Sequence, residues 1–77
     1  MYFVYILECE GSSFYTGITT DVERRFKEHS EGKGAHYTKV RKPIRIMYTE
    51  EHVNRSEASK REAEIKKLSH EEKARLV

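Results

Sequence analysis

Arg25 and Glu62 stand on helical faces that the apolar pattern assigns to the core. In the first helical stretch the anchors are Val22 and Phe26, and a stripe drawn through them takes in Arg25 and His29. In the second, Ala58, Ile65 and Leu68 mark the stripe, and Glu62 falls between them. Charge is costly to bury unless it is paired or held for chemistry. One reading is structural: an Arg25–Glu62 ion pair at the edge of the core, or two side chains snorkelling out to water. The other is a site where a guanidinium and a carboxylate converge.

Two further groups bear on that choice. Tyr5 and Tyr15 lie in neighbouring strand-like runs and share a face if the pairing offset is even. Gly17 lacks a Cβ, which either admits a ligand to the second strand or marks a bulge. From Gly32 to Thr49 there are five basic residues (Lys33, Lys39, Arg41, Lys42 and Arg45) and no acid, with His36 and Tyr37 among them. A basic stretch with an interleaved aromatic is the footprint of a phosphate backbone, or else a solvated loop.

The elements that must position these residues follow from pattern and punctuation. "YFVYILE" (2–8) is nearly all apolar and reads as a strand buried on both faces. "EGSS" (10–13) is a turn and "FYTGI" (14–18) a second strand, giving a hairpin. "TDVE" (20–23) reads as a capping box, with Thr20 capping a helix that runs to about Ser30. "EGKGAHYTKVRKP" (31–43) has two glycines and ends in proline, so it is expected to be a loop. "IRIMYTE" (44–50) alternates as a third strand. "NRSE" (54–57) opens a helix to about Leu68, and "SHEE" (69–72) opens a short helix through Val77. The expectation is an α+β domain over residues 1–77, a three-stranded sheet flanked by helices in the order β-β-α-β-α-α.

Composition narrows the classes. The chain has 77 residues, which allows one domain with a small core. Charged residues are 36% of it, yet the net charge of +2 is mild, so a nucleic-acid partner is permitted without being required. A lone cysteine, Cys9, excludes an internal disulfide and suits a reducing cytoplasm. "MYFVYILEC" is too short to span a membrane and lacks the basic start of a signal peptide, so a cytoplasmic protein without a membrane partner is expected. The histidines and Cys9 lack zinc-ligand spacing, and there is no P-loop, dinucleotide fingerprint or nucleophile elbow.

Taken in order, these residues resemble the GIY-YIG nuclease superfamily, most closely its small stand-alone bacterial members. "VYIL" (4–7) is similar to the first motif, with Tyr5 in the tyrosine place, although the motif's glycine and isoleucine are missing. "YTG" (15–17) is similar to the second and supplies Tyr15 and Gly17. "DVERRFKEH" (21–29) resembles the helix with the family's arginine, which falls on Arg25. "EASKRE" (57–62) resembles the segment with the metal-binding glutamate, which falls on Glu62. The resemblance implies a DNA endonuclease, with repair as a context, that uses one Mg²⁺ or Mn²⁺ held by Glu62. In it Arg25 stabilises the phosphate and Tyr5 or Tyr15 is the general base. His29 and His36 are rival bases or phosphate contacts. Gly17, Lys33, Tyr37, Lys39, Arg41 and Lys42 are the expected nucleic-acid contacts. A free tyrosine titrates near ~10, so a tyrosine base needs positive charge beside it. Two other readings stay open: a nucleic-acid-binding module of the same fold without efficient cleavage, and a structural domain in which Arg25 and Glu62 only pair.

Overall fold

In the computed structural model, which describes residues 1–77, strand β1 (Tyr2–Cys9) is the middle of the sheet, and every other element is placed relative to it. Strand β2 (Ser13–Thr19) follows through a 3-10 turn at Glu10–Ser12 and pairs antiparallel with one edge of β1. Strand β3 (Pro43–His52) pairs antiparallel with the other, so the spatial order is β2-β1-β3. Helix α1 (Val22–Ser30) lies between β2 and β3 in sequence, and helices α3 (Arg55–Lys66) and α4 (His70–Ala74) follow β3.

The apolar run of β1 is explained by burial on both sides. Val4 and Ile6 face α3 and pack with Met47, Ala58 and Ile65. Tyr5, Leu7 and Cys9 face the other way and pack with Tyr15, Val22, Phe26 and Ile46. Thus α1 and α3 cover opposite faces of one sheet. In β3 the register slips where Ile6 faces Tyr48 but Leu7 faces Ile46. That bulge at Met47 turns Met47 and Tyr48 both toward the α3 side, which fills that core from a single strand.

Two expectations are corrected. The cap of α1 is Asp21, whose side chain accepts from the Arg24 backbone N–H at 3.1 Å, rather than Thr20. Asp21 is in extended backbone geometry next to the first helical residue, so its carboxylate is the shorter reach and also favours the positive helix end. Residues 36–40 are not a loop: they wind into a further short helix, α2 (His36–Val40). So short a helix has too few internal hydrogen bonds to be set by its own propensity, and its tertiary contacts decide. The other starts are as read: Asn54 caps α3 and Ser69 with Glu72 forms the capping box of α4.

Candidate active site

The register places Tyr5 opposite Gly17 and Leu7 opposite Tyr15, an even offset, so both tyrosines lie on the α1 face. Their ring centroids are 6.3 Å apart. Tyr5 is 1% exposed and its phenol crosses directly over Gly17. A Cβ at Gly17 would fall 2.5 Å from the Tyr5 oxygen. Gly17 is therefore neither a bulge nor a gap for a ligand. The space its missing side chain leaves is filled by Tyr5.

His29, in the last turn of α1, is fully buried. Its Nε2 is 2.9 Å from the Tyr5 hydroxyl, and its Nδ1 is 2.7 Å from the Thr38 hydroxyl in α2. Thr38 in turn donates to the Ala35 carbonyl at 2.9 Å. Only one assignment of protons satisfies the whole chain. The Tyr5 proton has His29 Nε2 as its one acceptor, so Nε2 is bare. The His29 proton then sits on Nδ1 and is donated to Thr38, whose own proton goes to the Ala35 carbonyl, a group that can only accept. The opposite tautomer would strand the buried Tyr5 proton, which is unfavourable. Gly34 passes its backbone against the His29 ring, where a Cβ would collide with Nδ1.

Burial governs the acid–base state of this pair. The Tyr5 phenol is pushed up to about 12, first by burial and then by Tyr15. The Arg25 guanidinium beside it pulls down and the Glu62 carboxylate pushes up. His29 is held below the usual imidazole range by burial and then by Arg25, with Glu28 opposing. At neutral pH the pair is a phenol donating to a neutral imidazole. In the free protein desolvation outweighs the pull of the Arg25 guanidinium on Tyr5.

Arg25 is one turn before His29 and about one-third exposed. Its partner is Glu28 at 3.0 Å, on the same helix. Glu62 lies on α3, near enough to push the Tyr5 phenol up slightly, and its own partner is Lys66 at 3.3 Å. The Arg25–Glu62 ion pair is not formed. The helices cover opposite faces, and each charge has an oppositely charged neighbour three or four residues on.

Tyr15 lies 5.0 Å from His29 and 5.8 Å from Tyr37, which is exposed, so a row of rings leads from the buried pair to the surface. The basic residues divide. Lys33, His36, Lys39 and Lys42 are exposed. Arg41 lies against Gly11 and donates weakly to the Glu10 carbonyl at 3.4 Å, and Arg45 is paired with Glu8 at 2.6 Å. The end of the basic segment is thus tied to the β1–β2 turn, where Lys42 N–H also donates to the Glu10 carboxylate.

Thr38, Gly34 and Glu28 were not read from the sequence as site residues. For Glu28 the i,i+3 spacing to Arg25 was an available signal. A threonine and a glycine in a basic stretch carry none until the tertiary fold lays them on His29.

A family model described as the GIY-YIG catalytic domain matches residues 1–75. A UPF0213 protein of Cupriavidus necator is 57% identical over 72 residues, covering 94% of this chain and 78% of that protein. A UPF0213 protein of Staphylococcus aureus is 47% identical over 76 residues, covering 99% of this chain and 93% of its own. Among solved structures, the solution NMR structure of a UPF0213 protein from Bacillus halodurans is similar with a TM-score of 0.60 at 49% identity, covering 99% of this chain and 82% of that one. An E. faecalis protein is similar with a TM-score of 0.65 at 44% identity, covering 97% and 80%.

Proposed function

The chain belongs to the GIY-YIG family, a nuclease-type family, and on that premise we propose that it is a divalent-metal-dependent endonuclease that hydrolyses phosphodiester bonds of DNA. The observation that carries this reading is the buried Tyr5–His29 hydrogen bond set beside the Arg25 guanidinium. A phenol with a raised pKa is a weak base by itself. Joined to a bare imidazole nitrogen, it need never become a free phenolate. As the Tyr5 oxygen takes a proton from the attacking water, its own proton passes to His29 Nε2. Arg25, whose ion-pair partner is the partly exposed Glu28, can exchange that partner for phosphate oxygens. Its planar fork then meets the charge that builds on the non-bridging oxygens as the water–phosphorus bond forms and the ester bond breaks. The arriving phosphate also favours the imidazolium that His29 becomes.

Glu62 is the residue that would hold the metal. Its donors are hard oxygens, it is partly exposed, and Lys66 is a replaceable surface partner. No cluster of three or more His, Cys, Asp or Glu side chains is present, so water and substrate phosphate would complete the shell, as suits Mg²⁺ or Mn²⁺. A bound ion supplies charge for the leaving oxygen. The exposed Lys33, His36, Lys39 and Lys42 are the backbone contacts in this reading, with Tyr37 beside them.

The test is nicking of supercoiled plasmid with Mg²⁺, with Mn²⁺ and with chelator, using wild type and Arg25→Ala. The expected result is metal-dependent nicking by wild type and none by a folded Arg25→Ala protein. Binding without nicking by the wild type would replace this reading with a nucleic-acid-binding module.

A further inference from the structure

Thr38 joins the buried pair to the basic segment by a side-chain hydrogen bond. The residue is 1% exposed, which closes its hydroxyl off from bulk water. It contacts the His29 nitrogen that faces away from Tyr5. We propose that Thr38 is a positioning residue that holds His29 in its Nδ1-protonated tautomer and so keeps Nε2 bare as the proton acceptor for Tyr5.

The hydroxyl does this because its proton is committed elsewhere. Thr38 donates to the Ala35 carbonyl one turn earlier in the chain, which leaves only its lone pairs for the ring. A lone pair at that point demands a proton on Nδ1, and a neutral imidazole has one proton to place. Gly34 packs its backbone against the same edge of the ring, where a Cβ would collide with Nδ1. Thr38 also belongs to α2, the short helix that carries Tyr37 and Lys39. The same hydrogen bond therefore ties the helix in the basic segment to the ring that accepts the proton. The catalytic consequence rests on the nuclease reading above; the tautomer itself does not.

The experiment measures the His29 ring by long-range ¹H–¹⁵N correlation in wild type, Thr38→Ser and Thr38→Val, and in parallel the kcat and KM of plasmid nicking. In wild type and in Thr38→Ser the expected pattern is protonated Nδ1 and bare Nε2. In Thr38→Val a methyl faces Nδ1, so the preference should be lost or reversed. The kcat should fall at least about tenfold with little change in KM, and Ser should restore it. A wild-type ring protonated on Nε2 overturns the proposal, as does a Thr38→Val ring with the wild-type pattern. Should Val prevent folding, Thr38→Ala takes its place, and the wild-type spectrum still decides the tautomer. If no substrate is cut, the nuclease reading falls while the spectra still decide the role of Thr38.

Discussion

On the α1 face, Tyr5, His29 and Thr38 form a chain of neutral hydrogen bonds closed off from water. On the α3 face, Tyr48, Glu50, His52 and Arg61 form a second network at the edge of the same sheet, and that one is charged. Glu50 is its hub, accepting from Tyr48, from His52 at 2.8 Å and from Arg61 Nε at 2.8 Å. Burial alone would raise the Glu50 carboxyl, but the hydrogen bonds from Tyr48, His52 and Arg61 outweigh it and hold the group below its usual range. Arg61 is shifted further toward its charged form, chiefly by its bond to Glu50. Each partner satisfies the other, so the network fastens α3 to β3, a helix that buries only Ala58 and Ile65 of its own. On the α1 face the shifts run against ionisation, for Tyr5 and His29 alike. The lesson is that a set of charges which stabilise each other has little left to offer a ligand. A pair whose ionised forms are disfavoured, with an arginine beside it, is completed by one.

The largest effect should come from breaking the α1 network. Tyr5→Phe keeps the ring over Gly17 and loses the hydroxyl. Nicking should fall by roughly 10²-fold or more, with only a small change in thermal stability. Single-turnover rates and melting curves on the same preparation check both halves. Full activity in Tyr5→Phe would move the base to another group.

Breaking the α3 network should do the reverse. Glu50→Gln leaves Arg61 and the Tyr48 hydroxyl with a neutral partner, and should cost about 1–3 kcal/mol of stability. The rate per folded molecule should be unchanged. Melts as a function of pH sharpen the contrast. His29 is depressed in the fold, so the unfolded chain binds its proton first, and stability should fall as pH drops below the ordinary value of 6.5. Glu50 is depressed too, so its contribution is present above 4.5 and lost as pH falls below that. Tyr5 is raised, so its stabilising effect is present below pH 10 and lost on the way up to about 12. Glu50→Gln should erase the limb below 4.5 and Tyr5→Phe the limb above 10. Limbs that fail to follow their residues would dissolve the distinction between the faces.

Much of this was legible before the fold. The hairpin and the helix starts at Asn54 and Ser69 rest on turn, alternation and capping signals, which are local, whereas the shared face of the tyrosines waited on the strand register. Arg25 and Glu62 stood out because a charge on an apolar stripe is a local contradiction. Three things were hidden because they depend on contacts between distant segments. The stripes of α1 and α3 look alike in sequence, and nothing in either says that they cover opposite faces. Gly17 reads as space until Tyr5 is seen lying in it. The short helix α2 reads as a loop because its order comes from Thr38 meeting His29, nine residues back.

A smaller effect belongs to the exposed rim. Replacing Lys39 and Lys42 with Ala should weaken DNA binding and reduce the slope of log affinity against log salt by up to about two. The α1 network should be untouched, so kcat at saturating DNA should hold. Arg41 and Arg45, already tied to Glu10 and Glu8, should contribute less to that slope. An unchanged slope in the lysine variant would return the segment to an ordinary solvated one.

Metal-dependent nicking by wild type and Glu62→Gln, across a titration of Mn²⁺, tests the account most directly. Gln keeps the shape of the side chain and removes its charge, and Lys66, the partner it loses, is an exposed lysine four residues on. The account predicts that wild type nicks with saturable Mn²⁺ dependence, while Glu62→Gln melts within about 1 kcal/mol of wild type and does not nick. A folded Glu62→Gln protein that nicks at the wild-type rate with the same Mn²⁺ dependence would contradict it.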